Sequence, residues 1–433
     1  MNSLRSTSNF ADLVPQLRRQ FPALERAQGQ QPVIYLDGPA GSQVPESVIE
    51  AISDYYRHHN ANRSGQFATS QETDVLMADA HAAGAAWFGA QDPDEIIFGA
   101  NMTSLTFQFS RAHARSWQAG DTVVVTQLDH DANVSPWRLA ARDVGTHLRV
   151  VDVHRGDATL DLSDYEKASR SRPKLVAVTA ASNSVGSRTP IAELISMAHA
   201  VGAEVYVDAV HLAPHALLDV MGWQADYVVC SAYKFFGPHV GLLWGRSERL
   251  KSLEAYKVRP ASDAIPGKWM TGTQNHAAIC GVTAAVDYLC HMGTMLSVDT
   301  AGEQRQVAPS IVQRRASLQS AMTAIEIYER SLVEQLLSGL KQLRKVSVFG
   351  ITDPSQLEHR VPTVAMTLEG VPSEIVARRL GEQGIYCWHG HYYAIGICEA
   401  LGQSEHGMVR LGLMHTNTPD EIDRLLRGLA SFE

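Results

Sequence analysis

Four polar side chains stand where short apolar runs end: His130 after "TVVVTQL", Asn183 after "KLVAVTAAS", Asp208 after "EVYV" and Lys234 after "YVVCSAY". Lys234 interrupts "VVCSAYKFFGPHVGLLWG". An ammonium head is strongly hydrated and is almost never fully buried without a partner, so its place there asks for a chemical reason. In an open α/β sheet, ligands sit beyond the carboxyl ends of the strands, where these four residues fall. A lysine and an aspartate ending successive strands suit a cofactor that needs both an amine and a partner for a ring cation. Pyridoxal phosphate needs that pair: the lysine forms a Schiff base, and the carboxylate keeps the pyridine nitrogen protonated as an electron sink. Taken singly, each of the four also reads as an ordinary strand-end or cap residue.

The elements that must carry them are legible in outline. From about residue 95 to 245, β-rich runs alternate with helical stretches, and the runs are near-continuously apolar, as buried parallel strands are. An α/β domain with a mainly parallel sheet is predicted. "VIYLDGPAG" (33–41) reads as a strand ending in a Gly/Pro turn, and "PESVIEAISDYYRHH" as the helix after it, with Pro45 near its start. Residues 251–275 read as an irregular loop. "HAAICGVTAAVDYLCHMG" and "VQRRASLQSAMTAIEIYERSLVEQLLSGLKQL" read as helices, and the remainder as strand, helix, strand, helix.

The 433 residues exceed what one core usually holds, so one large and one smaller domain are expected. Hydrophobic residues make up 45% and charged residues 19%, an ordinary globular balance. A net charge of −9 argues against nucleic acid as the main partner. The five cysteines, Cys230, Cys280, Cys290, Cys387 and Cys398, contain no CxxC pair and fit a reducing compartment. With no signal-peptide core at the N-terminus and no run near roughly 20 apolar residues, a soluble cytoplasmic protein is expected, with no membrane contact. No P-loop and no dinucleotide-binding glycine pattern is present. His211 and His215 in "HLAPH" are separated by Pro214, and the "HGH" at 389–391 lacks a third ligand nearby, so no metal site is expected.

"YVDAVHLAPH…ADYVVCSAYKFFGPHVGLLWG" resembles the class-V aminotransferase family of fold-type-I pyridoxal phosphate enzymes, in its cysteine-desulfurase-like branch. "IYLDGPAGSQVPESVIEAI", "IIFGANMTSLTF", "LDHDANVSPWR", "ASNSVGSRTPI", "TGTQNHAAI" and "VRLGLMHTNTPDEIDRL" follow in the family's order. The resemblance implies a large domain with a mainly parallel seven-stranded sheet over 31–295 and a smaller C-terminal α/β domain over 296–433. An N-terminal segment, 1–30, would pack on the smaller domain. It makes Lys234 the Schiff-base lysine, Asp208 the partner of the pyridine nitrogen and His130 the residue stacked on the ring, with Asn183 on the ring hydroxyl. Met102 and Thr103, in the "NMTS" turn, and Ser231 would hold the phosphate. Thr273 would reach the phosphate of a partner subunit, which implies a homodimer with shared sites. Arg410 would clamp the α-carboxylate of an amino-acid substrate, a bidentate task suited to guanidinium, with Ala40 beside it.

Departures from the family pattern point to the reaction. Desulfurases of this branch carry a nucleophilic cysteine in a loop like R-T-G-H-H-C-A; here the stretch is "WHGHYYA" (388–394), and Tyr393 stands in the cysteine's place. A phenol cannot take up a sulfane sulfur, so the persulfide route is not expected. His211 replaces a glutamine three residues after the aspartate and can still hydrogen-bond the ring hydroxyl; Tyr233 replaces a histidine before the lysine and can still contact phosphate. Met270 stands where relatives often have an acidic residue. His391 and Tyr393 are expected to cover the substrate and to be placed to protonate a leaving group. The expected activity is elimination of a sulfur-based or other group from the β-carbon of an amino acid. Aminotransfer and epimerisation need the same lysine and aspartate, and a non-catalytic binding protein on the same fold is the alternative from another class.

Overall fold

The structure, a computed structural model, describes residues 3–296 and 308–432; the expected domain boundary at 295–296 abuts residues outside that range. Seven strands form the larger sheet: β1 (Ile96–Gly99), β2 (Thr122–Thr126), β3 (His147–Val151), β4 (Leu175–Thr179), β5 (Glu204–Asp208), β6 (Tyr227–Ser231) and β7 (Gly241–Gly245). Their spatial order is β1-β7-β6-β5-β4-β2-β3. All neighbours run parallel except β7, which is antiparallel to both β6 and β1.

The central strands are apolar on both faces because helices cover both. "LVAVT" in β4 is buried throughout, as is "VYV" in β5. Each fully buried valine of this kind contributes roughly 1.5–3 kcal/mol. At the sheet edge, β3 departs from the predicted continuous burial: only Val151 of "HLRVV" is buried, since one side of the strand has no neighbour.

A second sheet contains β8 (Val346–Phe349), β9 (Thr363–Leu368), β10 (Trp388–Gly390) and β11 (Met408–Gly412), all antiparallel in the order β8-β9-β11-β10. β9 and β11 match strands expected from the sequence, whereas β8 and β10 are short and partly exposed and carry no strand signal of their own. The predicted strand at 33–41 is reduced to Ile34–Tyr35, which pairs in parallel with Ile385–Tyr386. That pairing draws residues 36–42 across the face between the two sheets. Asp37 bridges to Gly412, and the Gly412 N–H donates to the Leu36 carbonyl. A Cβ at 412 would fall 1.9 Å from Pro39 Cδ, so only glycine permits this crossing.

The helices that frame the site are α1 (Ser3–Arg18), α2 (Glu46–Asp54), α3 (Ala68–Phe88), α4 (Met102–Ala114), α5 (His276–Leu296) and α6 (Ile311–Leu340). Phe10 of α1 lies against Tyr328 of α6, with ring centroids 5.1 Å apart. One helix, the 21 residues of α5, is long and apolar enough by length and mean composition to cross a membrane, although Asp287 and His291 interrupt its apolar run. It packs against α2, α3 and α6 and is largely buried, which explains its composition as that of a core helix.

Candidate active site

Lys234 lies in a single 3₁₀ turn (Ala232–Lys234) directly after β6. Its ammonium donates to the Ala40 carbonyl at 2.9 Å and to the Pro39 carbonyl, both on the segment that crosses between the sheets. Ser42 secures that segment: its N–H and hydroxyl donate to the Tyr233 carbonyl, and its Oγ accepts from the Phe236 N–H. Burial, helped by the Arg410 charge, pushes the Lys234 amine down to about 7. An amine held there is free at neutral pH for attack or proton transfer.

Asp208 ends β5 and is buried; its Oδ1 accepts from the Val210 N–H at 2.9 Å in a turn that aims the carboxylate along the strand. Burial raises it to about 6, opposed by that hydrogen bond and by Lys234. His130 follows β2 and caps a short turn, with Nδ1 accepting from the Ala132 N–H at 3.0 Å. Burial first, then the Lys234 charge, lowers it to about 4, so the ring is neutral. Behind it, Asp129 is buried and bound by Thr126 and Asn133, and burial holds it well above the usual carboxylate range.

Arg410 projects from β11 and is buried, with no carboxylate in ion-pair range among the described residues. It donates to the Asn183 carbonyl at 2.9 Å and lies over the Tyr392 ring, 4.3 Å from its centroid. Burial lowers it to about 10, which still leaves a cation at neutral pH. Asn183 spends one amide hydrogen on the Tyr392 carbonyl at 3.0 Å, while its Oδ1 is buried with no partner among the described residues.

The loop "HGHYYA" is tied down at several points. The Tyr393 carbonyl accepts from the Asp131 N–H at 2.7 Å, the Tyr392 hydroxyl donates to the Met408 carbonyl, and His391 Nδ1 accepts from the Tyr393 N–H at 3.0 Å. Tyr392 and Tyr393 both have positive φ, 52° and 57°, a strained conformation for aromatic residues. Tyr393 is 66% exposed, and its ring stacks on His130 with centroids 5.6 Å apart. His391 is exposed beside it.

At the other end of the crevice, Ser231 Oγ accepts from the Met102 N–H at 2.9 Å and fixes the N-terminus of α4. Asn101 caps that helix through the Ser104 N–H at 2.8 Å, and Thr103 is exposed in the first turn. A Cβ at Gly241 would fall 2.4 Å from the Asn101 carbonyl carbon, so β7 and this helix start meet backbone to backbone. Such a helix start, flanked by a serine hydroxyl, is a ready anion site. Tyr233 stacks on His239 with ring centroids 4.8 Å apart. His211 is buried, with Nε2 3.0 Å from Thr363 Oγ1.

The donor set fits pyridoxal phosphate: a lysine with a free amine, an aspartate at a neighbouring strand end, a neutral imidazole, a helix start and an orphaned buried amide oxygen on Asn183. Of the sequence-predicted residues, Thr273 alone stands apart. It is exposed and lines a cleft of about 670 Å³ with Arg63, His81, Met270 and His276, away from Lys234. Asp37 was missed. It reaches Lys234 and Arg410 electrostatically, and burial lifts it to about 6. Its position in "YLDGPAG" at a strand end was the available signal. Cys387 and Cys398 flank the loop; burial pushes their thiols up to about 12 and about 11.

A mainly parallel seven-stranded sheet whose strand ends converge on a lysine and an aspartate defines the fold-type-I class of pyridoxal phosphate enzymes. Within that class, the chain belongs to the class-V aminotransferase family, in its cysteine-desulfurase-like branch. The family model described as Aminotransferase class-V matches residues 34–319 and 309–425. A cysteine desulfurase of Cronobacter sakazakii is 30% identical, covering 96% of this chain and 97% of its own length. A probable cysteine desulfurase of Streptomyces coelicolor is 31% identical over 95% of each chain. Among solved structures, the apo cysteine desulfurase of Thermococcus onnurineus superposes with a TM-score of 0.83 at 25% identity, covering 96% of this chain and 97% of that one.

Proposed function

We propose that this chain binds pyridoxal phosphate at Lys234 and eliminates a sulfur-based or similar group from the β-carbon of an amino acid, without passing sulfur to a cysteine of its own. The observation that carries the second half is the loop: Tyr393 occupies the position of the family's cysteine, and the two nearest thiols are held protonated by burial. A protonated thiol is a poor nucleophile.

When bound, pyridoxal phosphate supplies the electron sink that makes bonds at the α-carbon labile. Lys234, with its amine near neutrality, is the base for the α-proton. Asp208 holds the proton on the ring nitrogen, His130 packs on the ring, and Asn183 and His211 serve the ring hydroxyl. Met102, Thr103, Ser231 and Tyr233 form the phosphate end. Arg410 pairs with the α-carboxylate, the Ala40 backbone steadies Lys234, and His391 and Tyr393 close over the side chain, where either can protonate the leaving group. Thr273, exposed and remote from Lys234 in its own chain, serves the phosphate of a second copy, which makes the working unit a homodimer. Residues 31–295 and 296–433 act as the two domains that meet at this crevice.

Product analysis tests the reading. The protein, supplied with pyridoxal phosphate, is incubated with a panel of amino acids that includes cysteine. Elimination gives the released thiol or sulfide with pyruvate and ammonia in equal amounts. Alanine as the product would instead mean desulfuration by the persulfide route, a keto acid formed without free ammonia, its amino group left on the cofactor as the pyridoxamine form, would mean aminotransfer, and inverted stereochemistry would mean epimerisation.

A further inference from the structure

His211 stands three residues beyond Asp208 and is 3% exposed. Its Nε2 is 3.0 Å from the hydroxyl of Thr363, the first residue of β9 in the smaller sheet, and no hydrogen bond of its Nδ1 occurs among the described residues. Thr363 is 0% exposed, and among the described residues its hydroxyl has His211 as its sole hydrogen-bond partner. A buried hydroxyl whose hydrogen has one available acceptor donates to it, because the reverse arrangement would strand that hydrogen without a partner. Nε2 is then the acceptor, and the proton of the neutral ring sits on Nδ1.

The ring is kept neutral by its surroundings. Burial is the largest influence, and the ionisable groups facing it are His215 on the same turn, Arg410 on β11, Lys234 after β6 and His130 after β2, all of which oppose a further proton. His215 is itself paired with Glu329 of α6 at 2.8 Å, with ring centroids of the two histidines 5.6 Å apart. Thr363 is anchored in turn: Arg360 donates to its carbonyl at 2.6 Å.

We propose that Thr363 is a positioning residue that fixes His211 as the Nδ1–H tautomer, so that His211 presents a hydrogen-bond donor to the phenolic oxygen of pyridoxal phosphate. The inference rests on the cofactor reading above. A donor at that oxygen favours its anionic form, and the pH at which the Lys234-bound cofactor loses its proton is thereby lowered. The smaller sheet therefore acts on the cofactor's protonation through one hydroxyl.

The test is a pH titration of the visible absorbance of the pyridoxal phosphate-loaded protein, comparing wild type with Thr363→Val, Thr363→Ser and His211→Leu. Thr363→Val keeps the shape and removes the hydroxyl. Its midpoint is expected to move up by roughly half a unit to one unit, about 3- to 10-fold in proton affinity. Thr363→Ser is expected to titrate like wild type, and His211→Leu to shift at least as far as Thr363→Val. Equal midpoints for wild type and Thr363→Val, or a Thr363→Ser shift as large as that of Thr363→Val, would overturn the proposal. Failure of the cofactor reading looks different: wild type itself would form no visible band that borohydride traps, and the proposal would fall with it.

Discussion

At the large-sheet wall of the crevice, Asp208 and His130 are aimed by tight turns that start on buried strands, with the Val210 and Ala132 N–H groups as their fixed points. At the facing wall, His391, Tyr392 and Tyr393 are held by hydrogen bonds to other loops, through Asp131 and Asn183, and by a strained backbone. The first wall keeps the residue types that pyridoxal chemistry requires. The second departs from the desulfurase pattern at the residue that would receive sulfur. On the proposed reading, the difference teaches that electron-sink chemistry belongs to the strand ends, whereas the fate of the leaving group belongs to a loop that can change without disturbing them.

Breaking the first wall has the largest expected effect. Lys234→Ala removes the base, and activity should fall by about 10²- to 10⁴-fold, with no borohydride-trapped adduct on the protein. Across the crevice on β11 of the smaller sheet, Arg410→Gln would leave the α-carboxylate unpaired and should lower kcat/KM by roughly 10- to 100-fold, carried mainly by KM in steady-state kinetics. A pH profile of kcat, which reports the substrate complex in which Lys234 is a free amine, sharpens the same claim. The Lys234 amine sits near 7, so below that pH it is protonated and cannot accept a proton. The rate should fall about tenfold per unit on the acid side and level off above neutrality. The smallest effect is expected at the second wall. Cys387→Ala and Cys398→Ala, singly or together, should leave the turnover rate unchanged, and mass spectrometry after turnover should find no sulfur added to either cysteine in the wild type. Loss of turnover in the double variant would return the chain to the persulfide route.

The strand-end residues were legible because buried parallel strands write themselves as short apolar runs, and the polar residue after each run is placed by the run's end. Other parts depend on distant pairings. Asp37 gains its place from the pairing of Ile34–Tyr35 with Ile385–Tyr386, some 350 positions away, which a local pattern cannot register. Thr363 reads in "VPTVAMTL" as an ordinary strand residue, and only the packing of β9 against the turn after β5 brings its hydroxyl to His211. The largely apolar stretch of α5 reads as a helix, while its packing between α2, α3 and α6 is a tertiary fact. The loop at 388–394 was singled out by its departure from a family pattern, yet the stacking of Tyr393 on His130 follows from the Asp131–Tyr393 hydrogen bond.

The most direct test of the account is where pyridoxal phosphate attaches. The loaded protein is reduced with borohydride, digested, and its peptides are mapped by mass spectrometry. The account predicts a single pyridoxyl modification, on the peptide that contains Lys234, and none in Lys234→Ala. An unmodified Lys234, or a modification that persists on another lysine when Lys234 is replaced, would contradict it.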